Sequence, residues 1–111
     1  DSGPVDDGTV VARDTLALLG DAIAAEGGPS YRALEIPPED GADGGQPGGN
    51  IRVALLFRTD RGLVFAPSPG GGRSALSVVT GLDGGPRLAA DPVRIAPDDP
   101  AFYSSRKPLA A

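Results

Sequence analysis

The chain lacks histidine and cysteine among its 111 residues, and both absences restrict its chemistry. Without cysteine it can form neither a disulfide framework nor a thiolate metal site. Without histidine, these residues alone exclude Ser-His-Asp and Cys-His mechanisms and lack the commonest general base. Any chemistry in which the chain takes part must therefore use carboxylates or depend on residues outside it.

Long apolar runs are also missing. No stretch approaches the ~20 residues that a membrane span requires, and no signal peptide is visible, so the sequence predicts no membrane partner. A chain of 111 residues is one domain or part of one. Because it begins without methionine and residues 104–111 read as a strand that is just starting, we expect a piece of a larger domain.

Acidic residues outnumber basic ones, which gives a net charge of −5 and argues against non-specific binding to nucleic acid. The charge is uneven, since residues 1–50 hold ten of the fifteen acids and only two of the ten bases. The second half of the chain can therefore form a local basic patch, although charge alone is explained equally by an ordinary mixed surface.

Apolar positions with helical spacing predict a helix over residues 10–26, capped by Asp7 or Thr9. Gly27 and Pro29 follow it, as is typical of a helix end. We expect the apolar stripe of this helix to pack on a sheet. The stripe comprises Ala12, Leu16, Leu19 and Ile23.

The rest of the pattern indicates strands. Alternation over residues 31–36 predicts a short strand, and the nearly continuous apolar run over 51–57 predicts a strand covered on both faces. Residues 59–62 have hairpin-turn chemistry, which predicts a return strand at 63–66. Weaker signals predict strands at 93–95 and 104–111, a short strand or a helix turn at 75–80, and a turn at 98–102. This order of elements predicts an α/β (α+β) fold.

A glycine-rich loop, residues 43–49, leads into the apolar strand and allows the backbone to turn sharply or approach another group closely. Three acids, Glu39, Asp40 and Asp43, lie at or before this loop. Paired carboxylates can bind a divalent cation or act as acid and base. Acids in a glycine- and proline-rich loop are more often solvated, which is the interpretation we favour here.

Several stretches together resemble a known family. Residues 44–61, GGQPGGNIRVALLFRTDR, look like the central segment of secreted bacterial nucleases of the endonuclease/exonuclease/phosphatase superfamily, relatives of the pancreatic-type deoxyribonucleases. Residues 1–8, DSGPVDDG, resemble the loop after that family's metal-binding glutamate. Residues 98–102, DDPAF, and 105–109, SRKPL, resemble a later block, so the resemblance spans nearly the whole chain in the family's order.

The resemblance implies a four-layered α/β sandwich with mostly antiparallel sheets, of which residues 1–111 would be a central part, incomplete at both ends. It implies metal-dependent hydrolysis of phosphodiester bonds with a divalent metal, usually magnesium and sometimes aided by calcium. The complete domain would bind nucleic acid or another phosphodiester, and the remaining segments of that domain would be partners of this chain. An extracellular or cell-surface location is also implied.

The predicted substrate-binding residues are Asn50, Arg52 and Arg106. By position, Arg106 matches a family arginine that contacts substrate phosphate, and its planar guanidinium can hold two phosphate oxygens. Asn50 and Arg52 fall where the family places polar groups at the rim of the site. A turn cap at Asn50 and a surface charge at Arg52 remain open as alternatives.

No catalytic or metal-binding residue is predicted within the chain. The family's metal-binding glutamate, its histidines and its Asp/Asn pair have no counterpart among these residues, so we expect the chain alone to be inactive. Two alternatives stay open: a self-contained, non-catalytic α/β binding module, and a phosphatase of the same superfamily that acts on small phosphate esters or lipids.

Overall fold

The computed structural model describes residues 10–46, 48–68, 72, 79–81 and 83–111, in which a single α-helix and short antiparallel strands form a mixed α+β fold. This agrees with the class that the order of elements predicts. The elements are α1 Arg13–Ala25, β1 Tyr31–Glu35, β2 Gly45–Gln46, β3 Gly49–Asn50, β4 Ala54–Arg58, β5 Val79–Thr80, β6 Arg87–Leu88, β7 Val93–Arg94 and β8 Leu109–Ala110.

Helix α1 lies within the predicted range but begins later than expected. Its N-cap position is Ala12, which has no capping side chain and whose backbone N–H donates to Glu35 Oε1 at 2.8 Å. The predicted caps Asp7 and Thr9 lie outside the described residues. Gly27, with φ of 79°, follows the helix end as predicted. In the described part of the chain, no helix is long and apolar enough to cross a membrane.

Strands β1 and β4 form the longest ladder, and their antiparallel register places Tyr31 opposite Arg58. Both strands were predicted, but β4 starts after residues 51–53 and is shorter than the apolar run. All five of its residues are half-buried, and Ile51 is exposed. The prediction of a strand covered on both faces is therefore wrong, because none of the five residues of β4 is buried, and among the described residues β4 pairs only with β1.

The predicted return strand at residues 63–66 is also wrong. After β4 the chain forms a single 3-10 turn, Thr59–Arg61, and leaves it through Gly62 in the left-handed region. Such a turn redirects the chain, whereas a two-residue hairpin turn would have folded it back onto β4. Residues 63–66 consequently run outside the ladder, and Val64 is 83% exposed.

The other strands form three antiparallel pairs, β2–β3, β5–β6 and β7–β8. The β2–β3 hairpin gives the glycine-rich loop its predicted sharp turn, with Gly45 at φ 94°. The strand predicted at 93–95 is confirmed as β7, whereas only Leu109–Ala110 of the strand predicted at 104–111 forms a strand, β8, which pairs with β7. Residues 75–80 were predicted as a short strand or a helix turn; residues 75–78 lie outside the described residues, and the last two form strand β5.

The buried centre lies where the loop after β1 meets β7. Val93 and Pro38 have fully buried side chains, and Ile36 is also buried. Helix α1 rests against β1, and of the predicted stripe Ala12 is buried just before the helix, Leu16 and Ile23 are half-buried, and Leu19 is 47% exposed. The expected packing of helix on sheet is thus only partial.

Candidate functional site

Three charged side chains from distant parts of the sequence meet in the buried centre. Asp43 Oδ2 lies 2.7 Å from Arg94 Nη1, and Asp43 Oδ1 lies 3.3 Å from Lys107 Nζ. Each of the three side chains is at most 10% exposed. We call Asp43, Arg94 and Lys107 the buried ion network.

The network also binds the backbone around it. Arg94 Nη2 donates to the Pro37 carbonyl at 3.2 Å, and the Glu39 N–H donates to Asp43 Oδ2 at 3.2 Å. The network therefore ties the loop after β1 to strand β7. Buried charges need such additional hydrogen bonds, because the attraction of the pair alone does not offset the loss of water.

Asp43 is ionised in this setting. Burial alone would raise its pKa, but the N–H of Glu39 and the cations of Arg94 and Lys107 together hold the pKa of Asp43 below its usual value. Our interpretation of Asp43 as a solvated loop acid is therefore wrong. Since two cations face one carboxylate, the network carries one positive charge in excess.

Arg106 stands at the surface next to this excess positive charge. It lines a cavity of about 10 Å³ together with the buried ion network and Arg52. Its residue is exposed, and its guanidinium forms no salt bridge with any described residue. It also borders an open groove of about 550 Å³, which we call the Arg106 groove and whose other lining residues are Val53, Ala101, Phe102, Ser105, Pro108 and Leu109.

Arg52 is drawn into the fold. Its Nη1 lies 2.6 Å from Glu35 Oε2 and donates to the Val10 carbonyl at 2.8 Å. Both side chains of the pair are about nine-tenths covered, and burial lowers the pKa of Arg52. Arg52 thus joins the entrance of β4 to β1 and to the residues before α1.

Asn50 is buried at the end of the β2–β3 hairpin. Its Nδ2 donates to Asp40 Oδ1 at 2.8 Å, and its Oδ1 accepts from the Gly41 N–H at 2.9 Å. These bonds hold the hairpin against the preceding loop. Among the described residues, the small cavity is lined by Arg52 and Arg106 but not by Asn50, so two of the three predicted site residues are brought together.

The chemistry of this region suits an anion and does not suit a metal ion. The cavity is lined by four cationic side chains and by one carboxylate, that of Asp43, which already pairs with two of them. Among the described residues, no three of His, Cys, Asp and Glu lie together as metal ligands would. A divalent cation would meet net positive charge here, whereas a phosphate would meet an exposed guanidinium.

Sequence reasoning missed Arg94 and Lys107. Their partner Asp43 lies far away along the chain, and no local spacing joins the three residues. The sequence feature that indicated a basic site is the excess of basic over acidic residues after residue 50.

Comparison of the chain with protein-family models, with curated proteins and with solved structures finds no significant match.

Proposed function

We propose that this chain is a phosphate-binding segment of a metal-dependent phosphodiesterase domain, a secreted nuclease of the endonuclease/exonuclease/phosphatase superfamily. The observation that carries the proposal is the position of Arg106, exposed at a groove and backed by buried excess positive charge in a chain of net charge −5. The second support is the resemblance of residues 44–61 and 105–109 to that family.

In this proposal, the Arg106 guanidinium binds two oxygens of one phosphodiester group. A guanidinium binds phosphate through two parallel charge-assisted hydrogen bonds, which fix both position and orientation. The cations behind it raise the local potential and favour an anion in the groove. Arg52 is not assigned a phosphate contact, because its Nη1 is bound to Glu35, which compensates its charge, and to the Val10 carbonyl.

The proposal assigns this chain substrate binding and no bond cleavage. A divalent metal, magnesium in most members of the superfamily, supplies Lewis-acid chemistry when bound, but the residues around the Arg106 groove do not fit one. No step is therefore derived through a metal here. With no histidine in the sequence, we expect the chain alone to leave phosphodiesters intact.

The proposal extends to the architecture. In a four-layered α/β sandwich, the sheets and helices of this chain would be covered by further segments of the same domain. The exposure of large apolar side chains supports this, because Leu18, Val64 and Val79 are each more than two-thirds exposed. Sedimentation and a thermal melt test it: aggregation, or folding only with a complementary segment, agrees with the proposal, and a cooperative monomer contradicts it.

A non-catalytic binding module is the second candidate. It is favoured by Arg52 and Asn50, since both side chains bind other parts of the same chain. Such a module would keep the Arg106 site and would need no further segments. The sedimentation experiment separates it from the nuclease segment, because only the module is expected to be a stable monomer.

Anion binding itself is tested by titrating a fluorescent single-stranded oligodeoxynucleotide and, separately, inorganic phosphate. Arg106→Ala should weaken oligonucleotide binding by about tenfold or more, the loss expected for charge-assisted hydrogen bonds of ~1.5–3 kcal/mol. It should also reduce the salt dependence by about 0.7 per lost phosphate contact. Arg61→Ala, which removes an exposed charge outside the groove, is the matched control. Equal losses in the two variants, or no binding by the unaltered chain once it is folded, either alone or with the complementary segment, would contradict the proposal.

A further inference from the structure

We propose that the buried ion network positions Arg106 for phosphate binding, with Lys107 as the group that acts on it directly. The inference rests on the proposed function, because it concerns the same anion site. It assigns Asp43, Arg94 and Lys107 the role of positioning residues, which do not touch the phosphate.

Lys107 fixes the peptide that leads into Arg106. Its Nζ donates to the Ser105 carbonyl at 2.9 Å and to the Phe102 carbonyl at 2.5 Å, in addition to its contact with Asp43. The Ser105 carbonyl belongs to the peptide bond that joins Ser105 to Arg106. The Lys107 ammonium therefore closes the turn before Arg106. By fixing this peptide, it sets the direction in which the Arg106 side chain leaves the backbone.

The residues after Arg106 are held from the other side by β7. The Ile95 N–H donates to the Pro108 carbonyl at 2.9 Å, and Leu109 lies opposite Arg94 in the β7–β8 ladder. The same β7 residue, Arg94, pairs with Asp43. The backbone on both sides of Arg106 is thus anchored to one buried carboxylate and one strand.

Burial makes this anchoring effective. Asp43 and Arg94 side chains are each 7% exposed, and that of Lys107 is 10% exposed. Charge pairs out of water are less screened than surface pairs, so their geometry is held more firmly. A guanidinium on an anchored backbone loses less conformational freedom when it binds phosphate, and this strengthens binding.

Simple electrostatics and positioning make opposite predictions for Asp43→Asn. The substitution removes a negative charge near the anion site, so electrostatics alone predicts tighter phosphate binding. Positioning predicts weaker binding, because Lys107 loses its anchor and the turn before Arg106 loosens. If the competent fraction of Arg106 falls to about a tenth, the apparent dissociation constant rises about tenfold.

The experiment measures oligonucleotide affinity and the ¹H–¹⁵N nuclear Overhauser effect of the Arg106 amide in the same samples. We expect Asp43→Asn and Lys107→Met to weaken binding about tenfold and to lower the Overhauser effect at Arg106. Lys107→Arg, which keeps a cation that can reach the same carbonyls, should restore both. Arg61→Met, an exposed residue outside the site, should change neither.

Unchanged or tighter binding by folded Asp43→Asn would overturn the inference, as would a fall in thermal stability with no change at the Arg106 amide. If Asp43→Asn does not fold, Asp43→Glu takes its place, because it keeps the charge but displaces the carboxylate; full affinity in that variant would equally overturn the inference. If the unaltered chain, folded alone or with the complementary segment, binds neither oligonucleotide nor inorganic phosphate, the proposed function fails. The Overhauser effect at Arg106 still decides whether the network orders this residue.

Discussion

The molecule has two sides that differ in composition and in burial: the helix side, formed by α1, β1 and β4, and the charged side, formed by the loop after β1 and by β7 and β8. The helix side is rich in apolar residues yet poorly covered, with no buried residue in the helix and half-buried residues along β4. The charged side is rich in charge and proline, yet it holds the fully buried Val93 and the buried ion network. Burial here follows tertiary partners more closely than local hydrophobicity.

The largest expected loss of stability comes from a substitution in the buried ion network of the charged side. Asp43→Asn leaves Arg94 and Lys107 buried around a neutral amide, and loss of one partner from a buried charge network costs ~3–5 kcal/mol. Urea unfolding measures this loss as a lower transition midpoint. Asp60→Asn is the control, because Asp60 pairs with Arg58 at the surface. Comparable midpoints for the two variants would show that the network adds little to stability.

The next effect compares one apolar residue from each side. Val93→Ala should lower the free energy of unfolding by about 2–3 kcal/mol, because it removes two buried methyl groups and leaves a cavity. Leu18→Ala removes more apolar mass from an exposed position and should change stability by no more than ~0.5 kcal/mol. A larger loss of unfolding free energy in Leu18→Ala than in Val93→Ala would contradict this comparison, because it would place the main hydrophobic core on the helix side.

The glycine-rich loop gives a smaller effect. Gly45 and Gly27 both have positive φ, and alanine in the left-handed region costs ~1–2 kcal/mol at either position. At Gly45 the added Cβ would also collide with the carbonyl oxygen of Gly49, whereas at Gly27 it would meet nothing within 4 Å. Thermal melts should therefore show a larger drop for Gly45→Ala than for Gly27→Ala. Equal decreases in melting temperature would mean that the β2–β3 hairpin accommodates the added Cβ without an energetic penalty.

The smallest effect is a dependence on pH. The folded-state pKa of Asp43 lies below its ordinary value of 3.8, so its contribution to stability is present above about pH 3.8 and is lost as the pH falls through the lower folded value. As the pH falls below about 3.8, the free energy of unfolding should fall more steeply for the unaltered chain than for Asp43→Asn. Parallel curves, measured in high salt to screen the surface carboxylates, would contradict this assignment.

Sequence reasoning reached the features that are local. Helix α1 follows from apolar positions spaced by one turn, and β1 and β4 follow from alternation and from a continuous apolar run. The β7 and β8 strands were also predicted, although their pairing was not. Local patterns failed at residues 63–66, where one 3-10 turn and a left-handed glycine sent the chain out of the sheet.

Of the residues at the candidate site, only Arg52 and Arg106 were predicted, and both by resemblance. Asp43 was misread because its surroundings in the sequence are glycine, proline and other acids, which normally indicate a solvated loop. Its burial depends on Arg94 and Lys107, which no periodicity connects to it. A buried ion pair between distant residues leaves no spacing signal, so it becomes visible only once the fold brings the partners together.

Native-state hydrogen exchange tests most directly whether the charged side is the stable scaffold of this molecule. The amide of Ile95 bonds to the Pro108 carbonyl at 2.9 Å, and the amide of Leu16 bonds to the Ala12 carbonyl at the same distance. We predict that Ile95 exchanges only through near-global unfolding, whereas Leu16 exchanges faster through local opening of the half-covered helix. Slower exchange at Leu16 than at Ile95 would contradict the account and place the stable core beneath α1.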